Sequence, residues 1–311
     1  MLTYHNVIPD DLFDASLHLG VSHSESAFKK HMSILKKRLA PENVLITFDD
    51  GYVNQYEVAS RILDKHNLKG VFFISFKLLI ERQPLTIDKV LQWVSYVPEG
   101  QYTIFNSLYT LSEESRHPVF LLFYEKLLND CVLWETIEEQ LNVAYAFNKL
   151  RIDPALKRLR FEPLTLKNLS ALKLAGHTVA AHSWAHLPLA TLPIETQRED
   201  FSLSKVFAKK HCNSNLYSYP YGGKREVSSE TISLCKEYGF SAAYLNINDS
   251  INDLEEDANY QLPRIDLLNN NAYYIEAKLS GFYFFCKLLL GNLLIFKPML
   301  PRMLKWKKRT T

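Results

Sequence analysis

The junction that most constrains this chain lies at residues 44–48, an apolar, β-branched and aromatic run that passes directly into Asp49-Asp50-Gly51. Such a run reads as a buried strand, which puts two carboxylates at a strand's carboxyl end, the place where sites form in α/β folds. Adjacent acids repel, and one of them is driven toward protonation unless a cation intervenes. A metal ion on one of the two would relieve this. The commoner meaning of the same tripeptide is a turn with an Asx bond and a glycine at positive φ, and both readings stand at this point.

The surrounding rhythm is strand and helix in alternation. Residues 2–7 can form a first strand, and 24–39 carry Phe28, Met32, Leu35 and Leu39 at helical spacing behind a Ser24 cap. Residues 55–66 predict a helix with Val58, Ile62 and Leu63 inward, and 70–75 a fully buried strand. After Pro163 the alternation resumes. Thr165 predicts a cap for a helix with Leu166, Leu169, Leu172 and Leu174 inward, closed by Gly176. Strands follow at 177–181, 215–219 and 240–245, helices at 195–210 and 229–238, and a short last strand at 262–265.

Between 79 and 161 this rhythm breaks. Trp93, Tyr96, Tyr102, Phe105, Tyr109, Phe120, Phe123, Tyr124 and Trp134 occur there without alternation. The expected organisation is therefore a barrel-like parallel α/β domain over 1–78 and 162–268, with a mainly helical insertion over 79–161. The insertion's aromatics read first as its own core and second as a wall that shapes a substrate.

With 311 residues, 47% of them hydrophobic, the chain can bury one large α/β core. Its net charge of +2 gives no reason to expect a nucleic-acid partner. Cys131, Cys212, Cys235 and Cys286 lie far apart without CxxC spacing, which argues against a disulfide framework or thiolate zinc site and for reduced core thiols. The opening residues show no basic region followed by an apolar run, so a cytoplasmic protein is expected.

His182 and His186 follow the strand at 177–181 and stand four residues apart, so a turn or a helix could aim both at one ion. Two imidazoles and a carboxylate are a ligand set of catalytic zinc sites that keep a position open for water. A pair of hydrogen-bonded, partly buried histidines is the ordinary alternative. The acids at 49 and 50 and the histidines at 182 and 186 all fall at carboxyl ends of strands, and parallel strands put those ends on one face.

Thr47-Phe48-Asp49-Asp50-Gly51 and His182-Ser183-Trp184-Ala185-His186 resemble the first two motifs of the polysaccharide deacetylases, carbohydrate esterase family 4. Tyr219-Pro220-Tyr221-Gly222 resembles the third, and the likeness runs from residue 1 to about 265 outside the insertion. The resemblance implies a distorted (β/α)7 barrel. It implies Asp50, His182 and His186 as ligands of a divalent ion, zinc by preference, with Asp49 as general base. It also implies the backbone N–H of Tyr221, set by the turn after Pro220, as oxyanion donor.

Two departures matter. Ser218 stands where the third motif usually carries an Arg, and Arg264 in Leu-Pro-Arg-Ile is the candidate replacement, an ordinary rim ion pair being the other reading. No histidine follows His211, so the late general acid is missing. A barrel sets its first strand beside its last, and His5 in Tyr4-His5 is the candidate acid, as in the family members that it resembles in this respect. His177 begins a strand and reads as structural.

Residues 281–300 are apolar but carry Lys287, Asn292 and Lys297, and a basic cluster follows up to Arg309. These internal charges exclude a good membrane span. The tail, 269–311, reads either as a peripheral anchor on an anionic membrane or as a terminal helix packed on the barrel. The expected substrate is an N-acetylated sugar in a polysaccharide or glycolipid precursor, handled at the inner face of the membrane. A deformylase or other amidase on the same scaffold, or a catalytically silent carbohydrate-binding protein, are the competing readings.

Overall fold

In the computed structural model, residues 1–14, 21–40, 43–130, 134–247 and 257–267 are described. The tail at 269–311, with its anchor and packed-helix readings, lies outside them. Strands β1 (Leu2–Tyr4), β2 (Asn6–Ile8) and β3 (Ser22–Ser24) lead into helix α1 (Glu25–Arg38), and β4 (Ile46–Phe48) follows. A π-helical turn (Gln55–Ser60) continues into α2 (Arg61–Lys65), before β5 (Gly70–Ile74). Then come α3 (Phe76–Glu81), α4 (Thr86–Tyr96), the hairpin β6 (Gly100–Ile104) and β7 (Ser107–Leu111), α5 (Arg116–Asp130), α6 (Trp134–Ala144) and α7 (Pro154–Phe161). The chain returns through α8 (Leu166–Leu174), β8 (Thr178–Ala181), α9 (Ile194–His211), β9 (Leu216–Ser218), α10 (Ser229–Glu237), β10 (Ala242–Tyr244) and β11 (Ile265–Asp266).

The seven-stranded sheet has the order β10-β9-β8-β5-β4-β1-β11 and is parallel throughout. Its two edges are joined by one stretch of chain. Leu262 exchanges backbone hydrogen bonds with Ala243 and Leu245 beside β10, and Ile265 then pairs with β1. The sheet thus curls into the distorted barrel, and His5 follows β1 directly beside the strand that carries Asp49.

Register determines which side chains reach the interior. Tyr4, Phe48 and Phe72 lie on one rung and face outward, Phe48 and Phe72 stacking at 4.9 Å and Tyr4 and Phe48 at 5.7 Å. Alternation then turns Thr47 and Asp49 inward. Tyr4 meets α1 through Phe28 and His31, and His23 packs edge-on to its ring.

His23 and His31 are buried with ring centroids 5.7 Å apart. Burial pushes His23 down to about 4 and His31 to about 3, assisted by their like-charged neighbours, His5 at His23 and His23 and Lys30 at His31. Both are neutral in the fold and protonated in the unfolded chain below about pH 6.5. Their stabilisation is therefore complete above that pH and drains away as pH falls toward 4 and 3, at up to about 1.4 kcal/mol per pH unit for each group. Urea unfolding of metal-free protein between about pH 7 and about pH 5 should show this loss. A His23→Gln/His31→Gln protein should show a flatter dependence, and an equally steep one would place the acid sensitivity elsewhere.

Local expectations fail in four places, the first at residues 2–7, where the expected single strand breaks at His5 into β1 of the main sheet and β2, which pairs with β3 in a separate two-stranded sheet. In α8, Leu169 and Leu172 are buried, but Leu166 is 45% and Leu174 90% exposed. Positions 169 and 172 share a face, whereas 174 lies two residues past 172 and rotates away from it. In the helix at 55–66 the π-helical turn shifts the register, so Ala59 is buried and Val58 only half-buried. The segment between β5 and α8 contains an antiparallel hairpin among its helices, where no strand was expected. Among the described cysteines, Cys235 is a buried free thiol and Cys212 a half-buried one.

Candidate metal and catalytic centre

The two adjacent carboxylates are separated by backbone geometry. Asp50 has φ +83° and Gly51 φ +106°, so the chain reverses immediately after Asp49 and the two side chains leave in different directions. Gly51 is required there, because a Cβ would press within 3.2 Å of Ile74 in a conformation that L-residues rarely adopt. The Asp50 carbonyl accepts from Ser75 N, and Asp49 N donates to the Tyr4 carbonyl at the end of β1.

Asp49 turns toward Arg264. Nη1 donates to Oδ1 at 2.7 Å and Nη2 to Oδ2 at 2.6 Å, a two-pronged pair with both residues buried. The same guanidinium reaches the Thr47 and Ser218 hydroxyls and the Leu245 carbonyl, and Ser218 Oγ donates to Asp49 Oδ2 at 3.2 Å. With Arg264 fully buried, the pair is not a rim ion pair. Burial alone would raise the Asp49 pKa, but Arg264, with smaller contributions from His182 and His5, outweighs it and holds the carboxyl below its ordinary value.

Asp50 turns toward the histidines. His182 Nε2 lies 3.5 Å and His186 Nε2 3.3 Å from Asp50 Oδ1, and one ligand atom from each of the three residues lies within 4.8 Å of the others. No donor completes a hydrogen bond to the buried Asp50 Oδ1. His182 Nδ1 is bonded to the Ser218 carbonyl at 2.8 Å, which in the neutral ring makes Nε2, facing Asp50, the lone-pair nitrogen. A buried carboxylate oxygen without a donor, opposite two imidazole nitrogens, fits a divalent cation.

The loop bearing the histidines is a turn, not a helix. Ser183 and His186 have φ +61° and +55°, and Ser183 Oγ accepts from His186 N at 2.8 Å. Asp200, buried in α9, accepts from Trp184 N at 3.0 Å and Ala185 N at 2.9 Å, and so clamps the loop between the two histidines. Gln55, in the π-helical turn, donates to the carbonyls of His5 and Asp49 and ties those two neighbours together. Neither Asp200 nor Gln55 is legible in the sequence, because each acts on the backbone of another loop through its side chain and leaves no motif or spacing.

Pro220 is buried at the end of β9, and Tyr221 and Gly222 follow with φ +61° each. Gly222 N donates to the Pro220 carbonyl and Asn246 N to that of Gly222, and a Cβ at 222 would collide with the Asn246 backbone. The Tyr221 ring lies 4.9 Å from that of His186.

A cavity of about 300 Å³ gathers His5, Asp49, Asp50, His182, His186 and Tyr221. Every sequence-derived catalytic or ligand candidate thus borders one space, with Arg264 behind Asp49. His177 lies elsewhere, accepting from Gly70 N at 3.2 Å and standing 3.5 Å from Asp64, in keeping with a structural residue. The far wall of the cavity comes from α4 and α5: Ile87, Leu91, Phe120 and Tyr124, with the buried ion pair Asp88–Arg160 at 2.8 Å. Of the aromatics between β5 and α8, Trp93 and Phe123 form a core with Val90 and Ile137, while Phe120 and Tyr124 line the cavity.

The family description "Polysaccharide deacetylase" matches residues 36–93 and 155–260, more than half of the chain. The chain belongs to the polysaccharide deacetylase family. The gap in the match, 94–154, falls where the hairpin and α5–α6 lie. No curated protein sequence matches. Among solved structures, the fold is similar to the Streptococcus pyogenes deacetylase PplD in complex with acetate, at 16% identity over 90% of this chain and 95% of that one, with a TM-score of 0.53. It is similar to BC0361, a polysaccharide deacetylase from Bacillus cereus, at 14% identity over 90% and 67%, with a TM-score of 0.55. A de-N-acetylase from Aggregatibacter actinomycetemcomitans matches at 14% over 88% and 97%, with a TM-score of 0.50. At these identities the likeness concerns the fold.

Proposed function

We propose that this chain is a divalent-metal-dependent hydrolase that removes the N-acetyl group from a sugar unit of an acetylated polysaccharide or glycolipid. The observation that carries the reading is the division of labour between neighbours: Asp50 faces two imidazoles, while Asp49 stands outside that cluster, held by Arg264. Such a division suits metal-assisted hydrolysis, which needs ligands and a separate base. Family membership and the deacetylase names of the fold's neighbours support the substrate class.

Asp50, His182 and His186 would hold the ion, zinc being the first choice for two imidazoles and a carboxylate. A divalent cation there supplies Lewis acidity toward an acyl carbonyl and makes water more acidic. Asp49, kept ionised by Arg264, accepts the proton of the attacking water. The Tyr221 N–H is the oxyanion donor, carried by the turn after Pro220. His5, on the same cavity, gives the leaving amine its proton. The wall of Ile87, Leu91 and Phe120 covers the apolar part of the sugar.

The test is metal content together with acetate release from a short N-acetylglucosamine oligomer. Near-stoichiometric metal and chelator-sensitive acetate release are expected. Formate release from an N-formyl analogue in preference to acetate would move the reading to a deformylase, and metal-independent turnover would end it. His5→Ala should keep its metal and lose kcat by about 10²-fold. Full kcat in that variant would assign the acid elsewhere.

A further inference from the structure

The turn that presents Tyr221 is not self-supporting. A non-glycine residue at φ +61° is strained and persists only where its surroundings hold it there. Part of that hold comes from outside the barrel. Tyr124, in α5, donates its hydroxyl to Glu226 Oε1 at 2.9 Å, and its ring lies 5.7 Å from that of Tyr221.

Glu226 is buried, and its backbone closes the same loop, with its N–H donating to the Gly223 carbonyl and its carbonyl accepting from Ala190 N. Gly223 leaves room for the carboxylate, since a Cβ there would collide with it. Tyr221 also packs against the apolar cluster built from α4, α5, α6 and the hairpin. The neighbouring Arg225–Glu125 pair, at 3.2 Å, is about half exposed at both ends and adds little.

We propose that Tyr124 is a positioning residue for the reaction: through Glu226 and through ring contact, α5 holds Tyr221 in the left-handed conformation required of the oxyanion donor. The inference rests on the oxyanion role given to Tyr221 above. It assigns a catalytic task to a segment that lies outside the family's matched residues, and links the far wall of the cavity to the loop beside the metal ligand His186.

The test compares Tyr124→Phe, Glu226→Leu and Glu226→Gln, with kcat taken per bound metal and N-acetylglucosamine oligomer as substrate. Tyr124→Phe and Glu226→Leu should each lower kcat about tenfold with KM within about twofold, since the loss falls on transition-state geometry. Glu226→Gln keeps an acceptor for the tyrosine hydroxyl and should recover most of the loss. The double variant Tyr124→Phe/Glu226→Leu should be no slower than either single one, because both break one link. A lowered Tm with unchanged kcat per metal, or losses that multiply in the double variant, would overturn the positioning role while leaving the deacetylase reading intact. Wild-type protein that binds metal but releases no acetate would remove both.

Discussion

An Asp49→Asn protein should keep its divalent ion and lose kcat by about 10²- to 10⁴-fold, the range supplied by a positioned acid or base. The two halves of this outcome come from different contacts. Asp49 is outside the cluster of Asp50, His182 and His186, so on the proposed assignment its charge is not needed to hold a cation there. It is the group whose two oxygens are fixed by Arg264 and Ser218 and whose carboxyl is held below its ordinary pKa, and an amide in its place cannot take a proton from water. The change also puts an amide NH₂ against a guanidinium, so the variant should unfold at a lower temperature; turnover is therefore counted per metal bound in folded protein. Normal turnover at position 49 would remove the proposed base, whereas loss of the metal would mean that Asp49 is itself a ligand.

Much of this centre is legible in the sequence because polar side chains follow apolar runs abruptly. The strand ends before Asp49, His182 and Pro220 announce themselves by an abrupt change of residue type, and parallel strands must bring such ends together. What is not legible has specific causes. The hairpin at Gly100–Leu111 turns through Phe105 and Asn106, both at positive φ, so it lacks the Asn-Gly or Asp-Gly pair that marks such turns. Asp200 and Gln55 work by accepting from or donating to the backbone of other loops, which leaves no periodicity to read. The Tyr124–Glu226 link joins residues 102 positions apart, one of them in a segment whose aromatics also serve an ordinary core.

Arg264→Met should be the most destabilising single change at the centre, by about 3–5 kcal/mol, the scale on which a buried charge pair is broken by removing one partner. Methionine fills much of the arginine volume, so the effect is chiefly electrostatic. Asp49 loses both prongs of its pair, Thr47 and Ser218 lose a donor each, and the Leu245 carbonyl loses its partner, all of them buried residues. Arg264→Lys keeps the charge but not the planar fork, so it should fall between the two in stability and still lose turnover, because a single ammonium cannot orient both Asp49 oxygens. Removing the carboxylate as well relieves the unpaired charge, so Asp49→Asn/Arg264→Met should be less destabilised than the two single changes together, by on the order of 1–3 kcal/mol in a double-mutant cycle. Strict additivity would mean that the arginine at 264 stabilises the barrel seam independently of Asp49, and that the replacement for the arginine missing at Ser218 must be sought elsewhere.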